Sequence, residues 1–154
     1  LAETRILRTD ELGWADFSKV GSKAANYGEL AKLLNTSERT PVRPGYAIPF
    51  HYYADFLSRN PAIQAAIERV LRDPMMRKVA NVEYRAEKLK TIRDLVLSSS
   101  NAINPRLVDE LLAIMDEVPS RDGKKRKMKF RSSTNAEDLP NFNGAGLYES
   151  AGYK

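Results

Sequence analysis

The sequence predicts an α+β fold, helix-rich with a small mixed or antiparallel sheet. Three observations carry this. Apolar residues recur at spacings of three and four in several long segments, which is the signature of helices with one buried face. The segment 127–132 instead alternates Lys127, Lys129 and Arg131 with Met128, Phe130 and Ser132, which is strand periodicity. Pro41, Pro44 and Pro49 keep the stretch between them extended, since proline is not tolerated inside a helix.

The first helix is expected at Ser22–Leu34, with Ser22 as its cap and Tyr27, Leu30, Ala31 and Leu34 on its buried face. Val42, Tyr46 and Ile48 suit an edge strand in the proline-bounded segment. A short helix at 51–58 is expected to bury Tyr53, Phe56 and Leu57. Asn60-Pro61 and Asn104-Pro105 are the same start signal, an Asn cap followed by Pro in the first helical position. The helix opened at Pro61 carries Ile63, Ile67, Val70 and Leu71 on one face and stops at Asp73-Pro74. The next runs through Val82, Ala86, Leu89, Ile92 and Val96, and the one after Pro105 through Val108, Leu111, Leu112, Met115 and Val118. All three stripes read as core packing. Ser120-Arg121-Asp122-Gly123 is a turn into the alternating strand, and Asn143-Gly144-Ala145-Gly146 a glycine turn into a final strand.

At 154 residues and 42% hydrophobic, the chain is of a size for one ordinary domain. It has no apolar run approaching the ~18 residues of a membrane span. It begins at Leu1 without a signal-peptide pattern, so a piece of a longer, membrane-independent protein is expected. Zero cysteines exclude disulfides and thiolate metal sites, a single histidine excludes a His cluster, and a reducing cytoplasm fits. His51, following Pro49 at a helix start, reads as structural or surface. The net charge of +5 favours anionic partners. The basic run 124–129 contains no aromatic residue on which bases could stack, so nucleic acid is not expected.

Chemistry concentrates in two places. In Val20-Gly21-Ser22-Lys23-Ala24-Ala25 a lysine sits in the first turn of a helix, where the dipole disfavours a cation by ~0.3–1 kcal/mol. A bound anion would reverse that sign, drawing on both the ammonium and free backbone N–H groups. In Phe130-Arg131-Ser132-Ser133-Thr134-Asn135-Ala136-Glu137-Asp138-Leu139-Pro140 an arginine at a strand end precedes three hydroxyls. Forked guanidinium donors and hydroxyls match phosphate oxygens, and an ordinary polar turn has the same composition. Gly144-x-Gly146 permits close backbone approach to a ligand, or simply a hairpin. No Walker A motif is present.

These two blocks, with Val42-Arg43-Pro44-Gly45-Tyr46-Ala47-Ile48-Pro49 between them, resemble in order and spacing the nucleotide-binding domain of the phosphoenolpyruvate synthase and pyruvate phosphate dikinase family. The resemblance covers about 17–57 and 128–149. It implies that 1–154 is the N-terminal portion of an ATP-grasp-type domain, in which ATP lies between two α+β halves. It further implies that Lys23 and Arg131 contact the ATP phosphates, Arg131 as the catalytic group, with Ser132, Ser133, Gly144 and Gly146 completing the site. Lys23 and Arg131 would then converge from 108 positions apart. Mg²⁺ ligands, a phosphohistidine carrier domain and the second half of the domain would lie outside this chain, which alone would not turn over. The family transfers a phosphoryl group from ATP to a carrier histidine and then to an acceptor such as pyruvate. The ending Gly144-Ala145-Gly146-Leu147-Tyr148-Glu149-Ser150 is closer to that of glucan water dikinases, which leaves the acceptor open. A non-catalytic polyanion-binding or scaffold module using 124–131 is the alternative of a different class.

Overall fold

A computed structural model describes residues 3–117, 128–136, 138–139, 142–143 and 150–153. The expected turn at 120–123, the basic residues 124–127 and both Gly144 and Gly146 lie outside the described residues. The described residues contain six α-helices, α1 (Phe17–Val20), α2 (Ser22–Leu34), α3 (Phe50–Arg59), α4 (Pro61–Arg72), α5 (Val82–Val96) and α6 (Pro105–Glu117). They also contain six short strands, β1 (Leu7–Arg8), β2 (Tyr46–Ala47), β3 (Met128–Phe130), β4 (Asp138–Leu139), β5 (Phe142–Asn143) and β6 (Ala151–Tyr153). The strands form three separate antiparallel pairs, β1 with β2, β3 with β6 and β4 with β5. In β3–β6, Lys129 lies opposite Gly152. The α+β, helix-rich expectation agrees with this, and the small sheet takes the form of two-stranded ladders.

The chain divides into two compact units, 1–52 with 108–154, and 53–107. In the first, Leu7, Leu12, Val20 and Ala47 form the core, with Ala24 against it. Leu7 pairs with Ala47 across β1–β2. Strand β2 lies in the segment expected to be extended, but its partner β1 was not foreseen, because two residues are too few to display a period. The Tyr52 hydroxyl donates to the Thr4 carbonyl at 2.8 Å, and the Ile6 N–H donates to the Glu110 carboxylate at 3.4 Å. Both bonds secure the N-terminal segment.

Helix α2 has the expected bounds, but of its expected face only Ala31 is buried. Its buried residues are Ser22, Ala25, Gly28 and Ala31, while Tyr27, Leu30 and Leu34 are exposed. The cause is a close approach that only small side chains allow. A Cβ on Gly28 would lie 2.5 Å from both the Cβ and the carbonyl oxygen of Leu12. In α3 Phe56 and Leu57 are half-buried, but the buried tyrosine is Tyr52, at 4% exposed, and not Tyr53, at 61%. His51 is half-buried with its ring 5.4 Å from that of Tyr52, edge to face.

In the second unit Asn60 precedes Pro61 as expected, yet its side chain does not cap α4. It donates to the carbonyls of Phe56 and Ala102 and accepts from the Ala102 N–H at 2.9 Å, so it joins the end of α3 to the segment before α6. Asn104 does cap, accepting from the Arg106 N–H at 3.0 Å. Asp73 ends α4 and accepts from the Met75 N–H at 2.8 Å. The core reading of the three stripes holds only for α4, where Ile63 and Ala66 are buried; Leu71 is 68% exposed. No described residue of α5 or α6 is buried. In α5 the better-covered face is Tyr84, Lys88, Ile92 and Leu95, with Tyr84 donating to Asp73 at 2.5 Å, so a hydrogen-bonded tyrosine and a lysine stem take the place assigned to Val82 and Leu89.

Replacing Gly28 by Ala should destabilise the chain by about 1–3 kcal/mol, since the added methyl must displace Leu12 backbone. A lower midpoint of urea unfolding at unchanged slope is the expected result.

Candidate phosphate-binding site

Helix α1 ends and α2 begins at a single residue, Gly21, whose φ is 87° and ψ 168°. This conformation is essentially restricted to glycine. The Gly21 N–H closes α1 by donating to the Phe17 carbonyl at 2.9 Å, and the Gly21 carbonyl accepts from the Ala25 N–H at 3.1 Å to open α2. Gly21, not Ser22, therefore occupies the cap position, and it has no side chain with which to satisfy the first-turn N–H groups.

Two of those groups, the Ser22 and Ala24 N–H, are satisfied from the far side of the sequence. The Ser133 Oγ accepts from the Ala24 N–H at 3.1 Å across 109 positions. The Thr134 carbonyl accepts from both the Ser22 N–H at 3.2 Å and the Ser22 hydroxyl at 3.1 Å. Packing at the junction is tight: a Cβ on Gly21 would fall 2.6 Å from the Ser133 carbonyl carbon and 2.7 Å from the Thr134 nitrogen. Thr134 in turn bends its own segment, its hydroxyl accepting from the Ala136 N–H at 3.3 Å.

The two motif-bearing segments thus meet. Lys23, flanked by two residues bonded to the 133–134 turn, is exposed, and so is Arg131. Ser132, Ser133 and Thr134 are half-buried. One expectation is corrected here. The N–H groups of Ser22 and Ala24 are already engaged by protein acceptors, so they are not open to an incoming anion. Gly21 was quoted only as part of its motif, and Thr134 only as one of three hydroxyls. A glycine directly before a helix is the visible signal for the first, and nothing local marks the role of the Thr134 carbonyl.

The junction is partly buried, Gly21 and Ser22 being buried and Lys23 exposed. The described cavities lie elsewhere, one of about 180 Å³ beside the C-terminal end of α2 and lined by Thr9, Asn35, Arg43 and Tyr46 among others. Among the described residues no group of three or more His, Cys, Asp or Glu could hold a metal ion, and no helix is long and apolar enough to cross a membrane.

Gly21→Ala should be among the most damaging single substitutions in the chain, costing about 2–4 kcal/mol through strained backbone and the Ser133 contact together. Thermal unfolding of the variant checks this.

The pyruvate phosphate dikinase AMP/ATP-binding domain family matches residues 17–151. The chain is 24% identical over 150 residues to rifampicin phosphotransferase of Streptomyces sviceus, covering 97% of this chain and 16% of that protein. It is 28% identical over 151 residues to phosphoenolpyruvate synthase of Neisseria meningitidis serogroup B, covering 97% and 18% respectively. It is 25% identical over 170 residues to a probable phosphoenolpyruvate synthase of Pyrococcus abyssi, covering 92% and 20%. The chain spans between a sixth and a fifth of the length of these relatives. With residues 17–151 of its 154 inside that match, the chain belongs to the AMP/ATP-binding domain family of pyruvate phosphate dikinase.

Proposed function

We propose that this chain is the N-terminal portion of an ATP-grasp-type domain and holds the ATP phosphates through Lys23 and Arg131. The junction between Gly21–Ala24 and Ser133–Thr134 carries the reading. Arg131 is two residues from Ser133, at most about 7 Å of extended chain, and Lys23 lies between two residues bonded to the same turn. Both exposed cations are thereby anchored close to one junction, which supports a shared phosphate site. Since the Ser22 and Ala24 N–H groups are engaged, neutralisation of a polyphosphate falls to side chains. Ser132, Gly144 and Gly146 are the further candidates for the phosphate site, whereas the Ser133 hydroxyl, expected among them, is engaged as acceptor by the Ala24 N–H.

Transfer of a phosphoryl group needs positioning and charge stabilisation more than covalent assistance, and Arg131 suits this because its forked donors can hold two oxygens at once. The described residues do not offer a carboxylate set fitting Mg²⁺, and no step is assigned to it. The remainder of the domain, the metal ligands and a carrier histidine are proposed to lie elsewhere in a longer protein. The donor side of the reaction is better supported than the acceptor side. Relatives named for rifampicin and for phosphoenolpyruvate match the same stretch, so this stretch follows what they share. The acceptor, whether pyruvate, a glucan or another compound, is set by other parts.

Titration of the chain with ATP, ADP and AMP tests the reading. Affinity should fall in that order and with rising salt, with ATP at a Kd on the order of millimolar. Lys23→Ala and Arg131→Ala should each weaken ATP about three- to tenfold, a range reduced by solvent screening, and Arg131→Lys should not restore the forked contact. In the longer protein the same alanine variants should slow ATP-dependent phosphorylation by roughly a hundredfold or more. Wild-type ATP affinity in both folded alanine variants would overturn the assignment.

A further inference from the structure

We propose that Ser133 is a positioning residue for Lys23, acting through the cap it makes on α2 and not by touching the nucleotide. This rests on the proposed role of Lys23 as a phosphate ligand. Four observations carry it. Gly21 holds the cap position and has no side chain. The Ser133 Oγ supplies the missing acceptor to the Ala24 N–H at 3.1 Å, the bond that a cap residue ordinarily makes to the third helical residue from within its own helix. The Thr134 carbonyl fixes Ser22, so Lys23 is held on both sides by one turn. Finally, the Gly21 backbone packs so closely on Ser133 that the turn has little freedom to slide.

The consequence is a division of labour inside the Arg-Ser-Ser block. Arg131 reaches outward toward phosphate, while Ser133 reaches inward and sets the direction in which the first turn of α2 presents Lys23. The lone pair that Ser133 gives to Ala24 stabilises an N–H that would otherwise be an orphan of the helix end. Losing it should loosen the first turn without unfolding the rest of α2, whose Ala25, Gly28 and Ala31 remain buried.

Amide hydrogen exchange and ATP titration of Ser133→Ala, Ser133→Thr, Lys23→Ala and the double variant Lys23→Ala/Ser133→Ala test the proposal in this chain. Exchange at Ala24 should quicken roughly fivefold in Ser133→Ala, while exchange at Ala31 stays at its wild-type rate and reports an intact helix. Ser133→Thr should return Ala24 to slow exchange. ATP affinity should fall about two- to fivefold in Ser133→Ala, recover in Ser133→Thr, and not fall further when Ser133→Ala is added to Lys23→Ala. An equal loss in the Lys23→Ala background would mean that Ser133 acts on the nucleotide directly, and would overturn the proposal. Unchanged Ala24 exchange in Ser133→Ala would overturn it as well. Should Lys23→Ala itself leave ATP affinity intact, the phosphate reading fails, and the exchange results still decide whether Ser133 caps α2.

Discussion

The first turn of α2 has N–H groups that its own chain direction cannot satisfy, and the site depends on how they are met. A helix that begins at a glycine lacks the side-chain oxygen that normally closes its N-terminus. Here the acceptors are the Ser133 hydroxyl and the Thr134 carbonyl. Satisfying orphan donors is worth on the order of 1 kcal/mol each, small beside the burial of Leu12 and Val20, but it is directional where burial is not. Apolar packing holds the unit together; these bonds specify where one segment lies on the other.

The same bonds shape the electrostatics of the proposed site. A helix N-terminus commonly attracts anions through free N–H groups. With Ser22 and Ala24 engaged, that contribution is reduced to the field of the dipole, and in the proposed site the holding of phosphate would fall mainly to the cations of Lys23 and Arg131. Arginine and lysine on a surface are screened by solvent and salt, so tight binding requires a second wall to exclude water.

Much of the helical framework was legible in the residues. The bounds of α2, the two Asn-Pro starts and the stop at Asp73-Pro74 follow from local chemistry that tertiary structure did not override. Which faces are buried was not legible. Periodicity favours the large residues of α2, whereas the approach of Leu12 selects Gly28, and the buried positions beside it are the small Ala25 and Ala31. In α5 a hydrogen bond from Tyr84 to Asp73 outweighs the apolar stripe. The candidate site was readable as two cationic motifs, because their residue types suit phosphate. Their junction was not, since a cap reaching across 109 positions leaves no trace in either segment alone. Asn60 shows the same limit: it stands at the expected cap position and spends its side chain on Phe56 and Ala102 instead.

The junction itself is open to one direct measurement, a nuclear Overhauser spectrum of the isotopically labelled chain. Cross-peaks from the Ala24 amide to the Ser133 β-protons, and from the Gly21 α-protons to the Thr134 amide, are expected at these separations. A folded chain with assigned signals for all four residues and neither cross-peak would contradict the meeting of the two segments, and with it the shared site of Lys23 and Arg131.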